Sequence, residues 1–158
     1  MSLLAEMTLV HMEAGAAIDR LDRGLARMRY QSDEPEEIRR EADRLISVSL
    51  RVREKLDRFF QREQRELFPH ARRILGEEGS DLRRLARARS GFLEAIDQFI
   101  VALSETSENN GRSLAQRMEY LNRLFQDVAE SYDEHCDAQR SFFQIHSTIL
   151  FPGGVATE

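Results

Sequence analysis

Three residues that can bind metals lie where an amphipathic helix is expected to be apolar. His11, Glu63 and His146 each fall on a stripe of apolar residues that recurs every three or four positions. Imidazole nitrogens and carboxylate oxygens are ligands that zinc and ferrous iron take in proteins. A buried carboxylate is costly unless it is paired, hydrogen-bonded or metal-bound. One hypothesis is therefore a mononuclear metal site formed by these three side chains and water.

Arg89 lies on another of these stripes and favours a different interpretation. A guanidinium stays charged and cannot bind a metal, so it is an unfavourable neighbour for any cation. Its simplest buried partner is Glu63, which would place an ion pair where a metal would bind. His135 and Gln139 are further polar residues on the last stripe. His135 is about 16 Å from His146 along a helix axis, so these two imidazoles cannot share one metal.

A repeated phrase organises the helices that carry these residues. The segment 59–69 begins with Phe-Phe-Gln and ends with Leu-Phe-Pro, and so does 142–152. Proline kinks or ends a helix, so both copies are expected to close long helices. Apolar periodicity predicts four helices, at about 3–29, 36–75 with a kink at Pro69, 81–104 and 113–150. The chain is predicted to be one all-α domain over 1–158, an up-down-up-down four-helix bundle.

Composition excludes several classes of function. The chain has 158 residues and a formal net charge of -5, which argues against nucleic-acid binding. No apolar stretch approaches the roughly 20 residues that span a bilayer, and no signal peptide is recognisable. The single cysteine, Cys136, excludes an internal disulfide and is typical of a reducing compartment. These features predict a cytoplasmic protein with no membrane association. They leave open whether the chain is part of a longer protein.

The Leu-Phe-Pro endings and the histidine early in the first helix together resemble the hemerythrin family. The chain is most similar to bacterial hemerythrin-like domains, which carry a His-x-x-x-Glu motif ahead of Leu-Phe-Pro. The resemblance implies a four-helix bundle built around a non-haem di-iron centre, used for oxygen binding, for oxygen or iron sensing, or for related redox work. It covers most of the chain in architecture, although its sequence support is confined to short stretches.

The family's ligand positions agree only in part with this chain. The resemblance places the second-helix and fourth-helix histidines on Phe59 and Phe142, and the third-helix histidine on Arg89. It places the first-helix histidine on His11 and the two carboxylate positions on Glu63 and His146. At most three positions keep a metal-binding side chain, namely His11, Glu63 and His146. A di-iron centre takes roughly six protein ligands. The resemblance therefore implies that the ordinary iron site is lost and that Phe59, Phe142 and Arg89 fill its space.

Three functional hypotheses follow from this pattern. The favoured one is a non-enzymatic sensing, signalling or protein-interaction module that has lost the di-iron centre, binds no cofactor and acts on an unidentified protein partner. The second is an atypical mononuclear iron or zinc protein, or an oxygen or iron sensor, that uses His11, Glu63 and His146. The third is a structural helical protein that forms a homodimer. An enzyme is not expected, because Cys136 and its neighbour His135 diverge by about 100° on a helix and form no catalytic pair.

Overall fold

The computed structural model describes residues 2–30, 34–75, 80–108 and 113–150, and the fold over these residues is all-α. The helices are α1 (Leu3–Tyr30), α2 (Pro35–Glu66), the short α3 (Phe68–Leu75), α4 (Ser80–Ser107) and α5 (Leu114–Leu150). The predicted all-α class with four long helical segments is confirmed. The connections at 31–33, 76–79 and 109–112, and the second Phe-Pro at 151–152, lie outside the described residues.

Two serines and one proline explain where the helices begin. Ser2 Oγ accepts a hydrogen bond from the N–H of Ala5 at 3.1 Å, which satisfies one of the free donors at the start of α1. Ser113 and Gln116 form a reciprocal capping box at the start of α5, with bonds of 3.2 and 3.4 Å. Pro35 occupies the first turn of α2, where its missing N–H costs nothing.

The break between α2 and α3 falls at Leu67, two residues before the predicted kink at Pro69. A proline ring clashes with the carbonyl four residues earlier, here that of Arg65, and disfavours helical geometry at the residue before it. The distortion therefore precedes the proline. Backbone hydrogen bonds of 2.8 Å on either side of Leu67 hold α3 close to the direction of α2.

The long helices pack in a closed order. Contacts join α1 to α2, α2 to α4, α4 to α5 and α5 back to α1, while α3 covers α2 and α5. One continuous apolar cluster lies between them. Its largest fully buried side chains are Phe59, Phe92, Phe99, Phe142, Leu21, Leu25, Met28, Leu45, Leu56, Leu85, Ile96 and Leu103.

Side-chain pairs fix how the helices are aligned along their axes. Lys55, late in α2, pairs with Glu13 in the first half of α1 at 2.6 Å. Arg53 pairs with Asp97 of α4 at 2.7 Å. This alignment brings five polar residues of the apolar stripes to one level, near the break after α2: His11, Glu63, Arg89, His135 and Gln139.

Candidate functional site

A buried ion pair occupies the centre of this level. Glu63 is fully buried on the inner face of α2, and Arg89 reaches it from α4 with Nη2 at 2.6 Å from Oε1. The guanidinium and the carboxylate are therefore in direct contact. Gln139 of α5 donates to the other oxygen, Oε2, at 2.9 Å. The pair that the sequence predicts between Arg89 and Glu63 is therefore present.

Two aromatic rings hold the guanidinium of Arg89. Its central carbon lies 4.9 Å from the ring centroid of Phe60 and 4.6 Å from that of Phe68. A desolvated cation over a ring face gains about 2 kcal/mol. Phe68 is the first residue of α3, so the break in the helix brings one of these two rings to the cation.

Burial disfavours the charged forms of both Glu63 and Arg89, and the attraction between the two groups favours them. Burial raises the pKa of Glu63 to about 6, even though Arg89 and Gln139 lower it. Burial also lowers the pKa of Arg89, and Glu63 opposes that change. At neutral pH the pair is ionised but held against a large desolvation cost. Such a pair is strongly destabilised when one partner is removed.

A stack of two histidines lies beside the ion pair. The rings of His11 and His135 are nearly parallel, at 9°, with centroids 5.1 Å apart. His135 is fully buried and contacts the ring of Phe60 at 4.9 Å between centroids. Burial lowers the pKa of His135 to about 3, and His11 and Arg89 add to this effect. Burial also lowers the pKa of His11, so both rings are neutral at pH 7.

The outer edge of His11 faces the seam between α1 and α5. Its Nδ1 lies 3.7 Å from Cys136 Sγ, and its backbone carbonyl accepts a hydrogen bond from Tyr132 at 2.9 Å. Burial raises the pKa of both the Cys136 thiol and the Tyr132 hydroxyl. Cys136 is thus a protonated thiol beside a neutral imidazole. The sequence correctly separates it from His135, but gives no sign that it meets His11.

His146 lies in different surroundings from the other two proposed ligands. It is half-buried, and its Nε2 lies 3.1 Å from Asp81 Oδ2 at the start of α4. Among the residues that the structure describes, no three His, Cys, Asp or Glu side chains are arranged to hold a metal ion. A site built from His11, Glu63 and His146 would require Glu63 and His146 to exchange their present partners. This site remains a prediction.

The two phenylalanines at the predicted histidine positions are fully buried. Phe59 contacts Phe60 and the edge of His11, and Phe142 contacts Phe143 and His146. Both rings pack into the core and offer no group that can ligate a metal.

Unpartnered polar atoms are concentrated in this layer. Apart from the two atoms that meet in the ion pair, five buried side-chain nitrogens and oxygens of the described residues here lack a hydrogen-bond partner, and they belong to His11, His135, Arg89 and Gln139. Buried polar groups in folded proteins are almost always satisfied, so this cluster distinguishes these residues from the apolar core around them.

Comparisons with known proteins leave the family open. No protein-family model matches the chain, and neither a curated protein nor a solved structure matches it. Within the described residues, no helix combines the length and apolar character needed to cross a membrane.

Proposed function

We propose that this chain is an up-down-up-down four-helix bundle of hemerythrin-like architecture that has lost the di-iron centre and acts as a non-enzymatic sensing or protein-interaction module. The contacts across the helices support this topology. Between α1 and α2, Glu13 pairs with Lys55 and Arg27 pairs with Glu41, so residue numbers rise along one helix as they fall along the other. Arg84 meets Glu134 at 3.1 Å and Phe99 packs on Phe125, which gives the same antiparallel order for α4 and α5. Met7 meets Gln139 and His11 stacks on His135, so α1 and α5 are antiparallel too.

The observation that carries the proposal is the Glu63–Arg89 ion pair closed by Gln139. The family resemblance places a carboxylate ligand at Glu63 and a histidine at Arg89. In this chain the carboxylate is instead neutralised by a fixed cation, which repels a metal ion and offers no lone pair. With Phe59 and Phe142 filling two more ligand positions, the layer is best explained as a structural replacement for an iron centre.

Metal analysis after anaerobic loading with ferrous iron tests the loss of the centre. We expect iron well below one ion per chain and no change in melting temperature with a chelator. About two irons per chain, with visible charge-transfer absorption, would refute the proposal. One bound iron or zinc that disappears in His146→Ala would replace it with the mononuclear site of His11, Glu63 and His146.

Restoring the missing ligands tests the family likeness itself. A variant carrying Phe59→His, Arg89→His, Phe142→His and His146→Glu regains the ligand types that the resemblance requires. We expect it to take up iron. The matched control places three histidines on exposed apolar positions instead, by Leu50→His, Val101→His and Ile145→His. Equal iron uptake by both proteins, or none by a folded restored variant, would contradict the likeness.

A homodimer is the second candidate, and exposed apolar side chains favour it. Leu50 on α2 and Val101 on α4 are 49% and 58% exposed. The Arg53–Asp97 pair aligns these helices so that the two side chains lie at a similar level. Sedimentation equilibrium tests this candidate. A dimer that dissociates in Val101→Glu would support it, and a monomer at all concentrations would exclude it.

A further inference from the structure

Sulfur and nitrogen ligands meet at the seam between α1 and α5, outside the Glu63–Arg89 pair. Cys136 Sγ lies 3.7 Å from His11 Nδ1. Met7 lies one helical turn before His11 on the same face of α1, and its Sδ is 3.3 Å from Gln139 Nε2. Gln139 also lies close enough to His11 to raise its pKa. The thioether of Met7 and the imidazole of His11 thus both lie beside the Gln139 amide, and the Cys136 thiol lies beside the imidazole.

We propose that Cys136 Sγ, His11 Nδ1 and Met7 Sδ form a binding site for a monovalent copper ion. This inference goes beyond the proposed function, because it concerns a different metal and, although it shares His11 with the family's ligand positions, takes its two sulfur ligands from residues outside them. Thiolate and thioether are soft ligands that select Cu(I), whereas hard carboxylates are not part of this set.

The separation of the two nearest ligand atoms fits such an ion. With zinc as the guide, metal–nitrogen and metal–sulfur bonds of about 2.05 and 2.3 Å place the two ligand atoms roughly 3.6 to 3.8 Å apart at angles between tetrahedral and trigonal. The observed distance between Nδ1 and Sγ is 3.7 Å. A metal can thus bridge these two atoms with little movement of either helix. Met7 Sδ, which accepts a hydrogen bond from Gln139 in this structure, would become the third ligand by rotation of its flexible side chain.

Gln139 supplies the support that a metal-bound imidazole needs. A histidine that binds through one nitrogen normally donates its other N–H to an acceptor, which fixes the tautomer. His11 Nε2 and Gln139 Oε1 are both buried and lack partners with hydrogen-bond geometry. A proton on Nε2 directed at Oε1 would satisfy both atoms and leave the Nδ1 lone pair free for the metal. Gln139 is itself fixed by its bond to Glu63, so the ion pair positions the site.

The binding reaction involves no change of oxidation state. The Cys136 thiol loses its proton to water and the thiolate forms a bond to Cu(I), so one proton is released for each ion bound. The three ligand residues are half-buried, unlike the fully buried Glu63, and this leaves a route from the surface.

Anaerobic titration with Cu(I), against a chromophoric chelator, tests the site on the whole chain. We expect one ion per chain and an ultraviolet band from thiolate-to-copper charge transfer. Cys136→Ser should abolish both signals, and Met7→Leu should weaken binding. Gln139→Leu should lower affinity about 10- to 100-fold, the usual cost of losing a residue that orients a metal-bound imidazole.

Matched variants separate this site from adventitious binding. Met12 is also on α1 but is 66% exposed, so Met12→Leu should leave the affinity unchanged. In the unmodified protein, Cu(I) should protect its single thiol from alkylation, a readout that needs no variant. Three results would each overturn the proposal. They are one-to-one binding of Cu(I) by Cys136→Ser, alkylation of Cys136 that Cu(I) does not slow, and equal losses of Cu(I) affinity in Met7→Leu and Met12→Leu. Iron analysis remains a separate assay, so a failure here leaves the proposed function intact.

Discussion

Removing one partner of the Glu63–Arg89 pair is expected to destabilise the protein far more than removing both. Arg89→Met keeps an apolar stem between Phe60 and Phe68 but leaves the Glu63 carboxylate without its cation. Breaking a buried ion pair in this way costs about 3 to 5 kcal/mol. Glu63→Leu should cost at least as much, because a buried guanidinium, unlike a carboxylate, cannot escape its charge by losing a proton near pH 7.

The double variant carries the sharper expectation. Replacing a buried pair by apolar residues of similar volume is neutral or stabilising by about 1 to 4 kcal/mol. Here the gain is offset because Gln139 loses its acceptor on Glu63, and an unsatisfied buried donor costs about 1 to 3 kcal/mol. The two effects nearly cancel. We expect Glu63→Leu/Arg89→Met to lie within about 2 kcal/mol of the unmodified protein.

Urea unfolding at pH 7, monitored by circular dichroism, measures the stability of the two single variants, the double variant and the unmodified protein. A domain of this size is stable by about 5 to 15 kcal/mol, so the single variants should remain folded at low urea. The exposed Arg140–Asp137 pair, at 3.3 Å, is the matched control, and its loss should cost at most about 1 kcal/mol. Single losses below about 1 kcal/mol, or a double loss equal to the sum of the singles, would refute the reasoning.

Two further predictions test the core beside the ion pair. His135→Phe should make the free energy of unfolding depend less on pH below 6.5, because the pKa of His135 is about 3 in the folded protein against 6.5 when unfolded. Urea unfolding at several pH values measures this dependence. An unchanged slope against pH would contradict the prediction. Gly24→Ala should cost about 1 to 3 kcal/mol by overpacking, since its Cβ would lie 2.3 Å from a buried methyl carbon of Leu45. A Cβ added at Gly91 would meet no neighbouring atom within 4 Å, so Gly91→Ala should instead stabilise α4 by about 0.5 to 1 kcal/mol. A loss of stability as large as that of Gly24→Ala in the same assay would be inconsistent with this packing.

The helices were predictable because their signals are local. Apolar residues at spacings of three and four recur along each segment, and the observed boundaries fall within about three residues of the predicted ones. The Glu63–Arg89 contact was also predictable, since two opposite charges on buried stripes have few other partners. Helix propensity and charge pairing both depend on features that one sequence displays directly.

The neighbours of His11 could not be predicted in the same way. Helical periodicity identifies which face of α1 or α5 is buried, but it does not fix how far one helix slides along the other. That alignment depends on the packing of the whole core, and it places His11 against both His135 and Cys136. His146, assigned to the same inner stripe, lies instead beside Asp81, where the end of α5 meets the start of α4.

Two opposing titrations in the same layer decide how acid acts on the fold. The pKa of Glu63 is raised from 4.5 to about 6, so the folded protein takes up its proton first and gains stability as pH falls through this window, by about 2 kcal/mol. His135 behaves in the opposite way, because its pKa falls from 6.5 to about 3 and the unfolded chain takes up the proton first. That loss accumulates below pH 6.5 and reaches about 5 kcal/mol near pH 3. The histidine effect is larger and begins at higher pH, so net stability should decrease on acidification, with Glu63 reducing the slope between pH 6 and 4.5. Of these two groups, His135 is therefore expected to set the sign of the pH dependence.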